Sequence, residues 1–273
     1  MVFSSITFVY AFFPLVAVAY YLSKNRVYRN VVLLLASLLF YSWGEPRFLL
    51  LMLAATLAAY CGGLLMERST AHKRLILIVT VVLLVGNLFV FKYLNFFSEN
   101  LSALFGWRAL PKLTLPIGIS FYTFQILSYV IDLYRGEIRV QRNYFYLLLY
   151  VSFFPQLVAG PIERSTNLLT QFDTPHKLEY DNVRDGLLRM VWGFFLKIVI
   201  ADRAAILVNQ VFNYCNYYEG PTVLIAAVLF AFQVYGDFAG YSNIAIGAAQ
   251  VMGFKLMKNF ERPYLAVSVS DFW

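Results

Sequence analysis

Charge is what this sequence is short of. Asp, Glu, Lys and Arg make up 14% of its 273 residues, whereas 60% are hydrophobic and 18% aromatic. A soluble domain carries about 25% charged and about 45–50% apolar residues, so there is too little polar surface here to coat one, and the chain reads as an integral membrane protein. Cysteine and histidine are scarcer, two of each. Cys61 lies in an apolar run and Cys215 beside Asn213 and Asn216, a spacing that excludes a disulfide framework and a cysteine-based metal site. They are expected to be unbridged packing residues, and no metal is expected. His72 sits in the basic stretch 70–74 and His176 follows Pro175 in a polar stretch, so both are expected to be loop residues. Gly-x-Ser-x-Gly, Walker A and His-Glu-x-x-His patterns are all missing, which leaves metal-assisted hydrolysis and P-loop ATP hydrolysis without support. The net charge of +7 is not gathered into a basic run on an aromatic platform. The expected partner is therefore a lipid bilayer with its anionic surface and no nucleic acid. A basic n-region is also lacking ahead of the first apolar run, which is long enough for a span and argues against a cleavable signal peptide.

What is present is a succession of apolar segments. Residues 1–22, 30–44, 48–66, 75–91 and 113–131 each approach the roughly 20 residues of a spanning helix, with Pro14 a kink in the first. A less regular stretch with Lys92, Glu99, Arg108 and Lys112 is expected between the fourth and fifth. Loops one, three and five hold nine basic residues (Lys24, Arg26, Arg29, Arg68, Lys73, Arg74, Arg135, Arg139 and Arg142), and loops two and four hold four. The positive-inside bias then puts the odd loops in the cytoplasm and the N-terminus outside. After Arg142 the alternation fails. Residues 144–162 are long enough to span but contain Pro155, Gly160 and Pro161, which predicts a broken or re-entrant element shielded by protein or lining a cavity. Residues 163–186 are polar, and 187–201, 204–218 and 222–254 return to the membrane, giving about eight to ten membrane elements in one integral-membrane domain. The fold class is all-α, a polytopic transmembrane helical bundle with broken helices.

The sharpest residue is Asp237, which interrupts the last apolar segment. A carboxylate at that depth is costly and is a functional candidate by default. It is either a polar group lining a reaction cavity or a structural carboxylate bound to a lysine, an arginine or backbone amides. Gln233, Asp237 and Tyr241 recur every four residues and so share one helix face, which looks into the protein, with Ser242 beside them. Gly236, Gly240, Ser242, Ala245 and Gly247 would let a neighbouring helix come close. Gln156, in Phe153-Phe154-Pro155-Gln156, is a further candidate for a cavity wall, with a kinked structural hairpin as the alternative. Lys197, with Asp202 and Arg203, reads as an interfacial anchor or a contact for a donor's phosphates.

These motifs resemble the membrane-bound O-acyltransferase family, in the branch that acetylates bacterial cell-surface polysaccharides such as alginate. The likeness rests on Tyr-Gly-Asp-Phe-Ala-Gly-Tyr-Ser-Asn-Ile-Ala-Ile-Gly (235–247), on Asn259-Phe260 with Arg262-Pro263-Tyr264, and on Asp271-Phe272-Trp273. Residues 152–162, 1–5 and 40–43 fit as well. The resemblance implies acetyl transfer to polysaccharide hydroxyls from acetyl-CoA or a related thioester, with no bound cofactor. It also implies periplasmic acetyltransferase partner proteins and a multi-pass location in the bacterial inner membrane. The family's active-site histidine follows Asp-Phe-Trp within a few residues, so no catalytic residue is expected within this chain, which by itself would be inactive and reads as C-terminally truncated. Within the family, D-alanyl transfer to teichoic acid and acetylation of peptidoglycan stay open. Outside it, a transporter or channel and a non-catalytic scaffold subunit are the alternatives, although no repeated halves support a transporter.

Overall fold

A computed structural model describes the chain apart from Thr70, residues 107–109, 158, 159, 162, 262 and 273, and the side chain of Phe272. Arg108, Arg262, Trp273 and three positions of the 152–162 motif thus lie outside the described residues. Helices are the only regular structure among the described residues: a π-helical stretch Phe8–Phe12 running into α1 (Phe13–Tyr21), then α2 (Arg26–Ser42), α3 (Pro46–Arg68), α4 (Lys73–Phe105), α5 (Ile119–Arg135), α6 (Tyr144–Ser152), α7 (Phe154–Leu157), α8 (Ser165–Asp173), α9 (Tyr180–Phe194), a second π-helical stretch Phe195–Ala201, α10 (Asp202–Asn213), α11 (Gly220–Val251) and the single turn α12 (Val269–Phe272).

Local chemistry sets the ends. Asn25 and Asn143 cap α2 and α6, their side-chain oxygens accepting the Val27 and Phe145 amides at 2.8 and 2.9 Å. Left-handed glycines bracket α5, Gly118 at φ 76° and Gly136 at φ 79°. Gly106, at φ 67°, closes α4 with its amide on the Ser102 carbonyl. The stretch from Lys92 to Glu99 is therefore helical and not irregular, because no glycine or proline lies between Gly86 and Gly106. Pro14 lacks an amide hydrogen, and the turn ahead of it is π-helical, Phe13 N–H reaching back to Phe8.

Three described helices are long and apolar enough to cross a membrane: α3, α4 and α11. Apolar residues dominate their outward faces. Leu50, Val82, Leu83, Phe96 and Leu224 are all more than half exposed, a surface suited to hydrocarbon and costly in water.

The described residues form two compact units. The first holds α2 to α8, its core built on Phe40, Tyr129, Leu147, Tyr150, Phe153 and Phe154, each fully buried. The 144–162 segment is broken as expected: α6 stops at Ser152 and α7 starts at Phe154. Phe40 of the 40–43 motif stacks obliquely on Phe154 at 5.8 Å, so two motif patches meet in this core.

The second unit holds α1, the two π-helical stretches and α9 to α12. Its organising contact joins α9 to α11 through glycine. A Cβ on Gly186 would lie 2.7 Å from the Gly247 carbonyl oxygen, and one on Gly193 would lie 2.7 Å from that of Gly240. The two contacts lie seven residues apart along each helix, in opposite chain directions, so the helices run antiparallel with their backbones in contact. Glycine is required here by space. By contrast a Cβ on Gly86, in the middle of α4, would meet nothing within 4 Å. Replacing Gly240 with Val is expected to lower stability by about 1–3 kcal/mol or to prevent folding. Gly86→Ala should raise stability by about 1 kcal/mol, because alanine is the better helix former. Thermal unfolding of the detergent-solubilised protein would read both.

Candidate functional site

The antiparallel glycine contact sets the register of the side chains around it. At its far end the helix following α9 widens into the π-helical stretch Phe195–Ala201, and Lys197 lies within it. The Lys197 ammonium donates to Asp237 Oδ1 of α11 at 2.5 Å and to Asp202 Oδ1 at 2.8 Å. It also lies 5.2 Å from the centre of the Tyr241 ring, within cation–π range. Asp237 and Tyr241 thus share one face, as the four-residue spacing predicts. The lysine side chain is only 15% exposed, and those of Asp202 and Asp237 are 49% and 47% exposed. Lys197 is therefore the bridge between two carboxylates. Of the two readings open for Asp237, the structure supplies the lysine partner while leaving about half of the side chain exposed. The second oxygen can still accept a hydrogen bond from a hydroxyl.

Neighbouring groups extend this polar stripe. Arg189 Nε donates to Asn243 Oδ1 at 3.1 Å, and Asn243 Nδ2 to the Ala239 carbonyl at 2.8 Å, on the same pair of helices. The Tyr241 hydroxyl is 3.4 Å from Ser4 Oγ, bringing the 1–5 motif to the 235–247 motif. Phe260 packs on Tyr235 and Phe238 at 6.0 and 5.1 Å, and Tyr264 donates its hydroxyl hydrogen to the Ala231 carbonyl at 2.8 Å. Three motif segments thus converge on α11. Gln233 Oε1 and Ser242 Oγ are buried without a hydrogen-bond partner among the described residues.

Gln156 belongs to the first unit. It is buried, and its amide nitrogen donates to the Tyr150 carbonyl at 2.8 Å, across the break between α6 and α7. Its Oε1 has no partner among the described residues, and neither do Gln125 Nε2 and the Tyr122 hydroxyl. All three residues line a cavity of about 10 Å³. One water fits such a space, and these groups give it a donor, an acceptor and a hydroxyl.

Two buried carboxylates escaped the sequence reading. Asp132, 6% exposed, accepts hydrogen bonds from Ser165 Oγ at 2.6 Å and Ser128 Oγ at 3.4 Å. Glu163 is fully buried, with Oε2 accepting from Asn167 Nδ2 at 2.7 Å. Glu163 adjoins Arg164, and Asp132 stands three residues before Arg135, at the charged end of the fifth apolar segment. The Ser128 to Asp132 spacing was the one available signal.

His72 is exposed in its loop, its ring nitrogen 3.4 Å from Ser69 Oγ. His176 is in a loop too, but it packs against the Phe254 ring at 4.4 Å. Cys61 and Cys215 are unbridged, and both are exposed instead of packed inside. Among the described residues no three His, Cys, Asp or Glu side chains converge as a metal site would need.

The molecule is thus an all-α membrane protein carrying a lysine–dicarboxylate cluster on a glycine-packed helix pair. Over its whole length it is similar to the probable alginate O-acetylase AlgI of Pseudomonas aeruginosa, at 41% identity, covering 54% of that protein. It is similar over the same extent to the peptidoglycan O-acetyltransferase of Helicobacter pylori, at 32% identity and 58% of that protein's length. With the teichoic acid D-alanyltransferase of Bacillus subtilis it shares 27% identity over 58% of this chain and 40% of the relative. No family model matches. The chain spans about half the length of the curated relatives that it matches over its whole length. All three relatives are named for acyl transfer.

The cluster's energetics can be separated by a double-mutant cycle. Lys197→Met leaves two carboxylates facing each other, and should cost about 1–2 kcal/mol, less than a fully buried pair would because both acids are half exposed. Asp237→Asn leaves Lys197 with Asp202, and should cost about 0–1 kcal/mol. The double variant should be more stable than the sum of the two losses predicts, and additive losses in thermal unfolding would mean that the pair is uncoupled.

Proposed function

We propose that the protein transfers an acyl group, acetyl foremost, from acetyl-CoA or a related thioester to hydroxyls of an alginate-like cell-surface polysaccharide. The observation that carries this reading is the similarity over the whole chain to a protein named a probable alginate O-acetylase. A relative named peptidoglycan O-acetyltransferase and one named teichoic acid D-alanyltransferase support the same reaction class, acyl transfer to an envelope polymer. In this reading the protein is a single integral-membrane domain of the bacterial inner membrane, its N-terminus outside, and it works with periplasmic partner proteins that complete delivery to the polymer.

Acyl transfer to a hydroxyl needs a base for the hydroxyl proton, donors for the developing oxyanion, and a held geometry. The residues on α11 supply geometry. Asp237, fixed by Lys197, offers its open oxygen to a hydroxyl, Tyr241 and Gln233 stand one turn to either side, and Ser242 borders them. Gln156 lines the small cavity of the first unit. The family resemblance implies a histidine in the role of the base.

The test belongs in the source bacterium, on the gene that encodes this chain. Deleting it should remove ester-linked acyl groups from the exported polymer, read by proton NMR of the purified material. Asp237→Asn at unchanged protein level should lower ester content about tenfold or more, the scale on which misplacing a reacting group acts. A deletion strain whose polymers keep all their acyl esters would sink the proposal. The acyl group that disappears, acetyl or D-alanyl, and the polymer that loses it decide among the family's reactions.

A further inference from the structure

A groove of about 360 Å³ opens between α2 and α6 in the first unit. These helices run in the same direction, since Asn30 Nδ2 donates to the Tyr146 hydroxyl at 2.8 Å near their starts and the Phe154 amide donates to Ser37 Oγ at 3.1 Å further along. Leu34 and Leu149, both buried, form the floor, and the walls are Val31, Leu35 and Phe145, at 46%, 61% and 64% exposure. The polar lining is confined to one end, where Asn30, Asn143 and Tyr146 lie.

Basic residues precede that end in the chain. Both helices begin there, so their positive dipole ends coincide. Lys24 directly precedes the cap Asn25, and Arg139 stands four residues before the cap Asn143. Both are exposed, and neither has an ion-pair partner among the described residues. Their neighbours Arg26 and Arg142 are engaged, with Asp173 and Glu67, each at 3.2 Å. The volume lies at the lower end of the range for small-molecule sites. A trough that is apolar along its length, with basic residues ahead of one end in the chain, matches an amphiphile with an anionic head. It does not match a sugar polymer, whose hydroxyls would meet hydrocarbon on three sides, and a neutral lipid would leave the cations unanswered.

We propose that this groove holds an acyl chain of an anionic glycerophospholipid, with its phosphate against Lys24 and Arg139. Moving a chain from bilayer to groove exchanges one hydrocarbon surface for another, so the walls give little preference of their own. Selectivity comes from the charged end, and the walls fix where the lipid sits. The inference is independent of which polymer the enzyme modifies and of which way the chain crosses the membrane.

Native mass spectrometry of the intact, detergent-purified protein tests it, with equal concentrations of dioleoyl phosphatidylglycerol or dioleoyl phosphatidylcholine added. Phosphatidylglycerol adducts should exceed phosphatidylcholine adducts by at least about fivefold, the preference that one basic residue gives near a surface. The double variant Lys24→Glu, Arg139→Glu should bring phosphatidylglycerol down to the phosphatidylcholine level. Val31→Trp, a substitution at a half-exposed wall position, should reduce both adducts with every charge intact. Equal retention of the two lipids by the unaltered protein would overturn the charged end. An unchanged phosphatidylglycerol signal in Val31→Trp, with thermal unfolding also unchanged, would move the lipid out of the groove and overturn the site.

Discussion

The contact between α9 and α11 governs what the second unit can do. In a membrane, helices gain nothing from leaving lipid for one another through the hydrophobic effect, so they associate where backbones can touch. Gly186, Gly193, Gly240 and Gly247 provide that touch at two points seven residues apart. The register then leaves little freedom to the residues beyond, and Lys197 meets Asp237 because the ladder of contacts arrives there. The order of dependence follows from magnitudes. A half-exposed ion pair contributes about 0–1 kcal/mol, whereas forcing a side chain into a closed backbone contact costs about 1–3 kcal/mol. The helices thus place the charges, and the charges do not hold the helices.

What the placed charges can do is limited by their composition. One ammonium between two carboxylates is a fixed, oriented group. It can hold a hydroxyl in line. The π-helical turn around Lys197 fits this role, since such turns commonly mark places where a helix gives up regular bonding to aim a side chain. Tyr241 and Ser4 extend the same surface, and Phe260 and Tyr264 fasten the following segment to α11.

Much of this was legible in the sequence because it is local. The all-helical class follows from composition, the cap positions from asparagine and glycine, and the shared face of Asp237 and Tyr241 from a four-residue period. The partner of Asp237 was not, because Lys197 is 40 residues away in the chain and only the crossing of two helices brings it back. Composition around a residue also misleads. Asp132 ends an apolar segment and Glu163 opens a polar one, positions that suggest solvent, yet both are buried in hydrogen bonds with serine and asparagine. The stretch after Lys92 contained enough polar residues to suggest a loop, but α4 passes through it because nothing there breaks a helix.

Gln156 shows how a polar side chain can be committed at one end and open at the other. Where α6 stops at Ser152 and α7 starts at Phe154, the broken ladder leaves backbone groups inside the protein that water cannot reach, and each needs a side chain or its cost stands. Ser37 Oγ accepts from the Phe154 amide, and Gln156 Nε2 donates to the Tyr150 carbonyl. The Tyr150 hydroxyl in turn donates to the Glu163 carbonyl at 3.1 Å. The polar residues of this core are therefore first a repair of the break that Pro155 and its neighbours impose. Only the second half of Gln156, its Oε1, is left facing Gln125 and Tyr122 across a space the size of one water. A kinked structural hairpin and a polar cavity wall are then not rival descriptions of Gln156, since the repair is what holds the free oxygen in place.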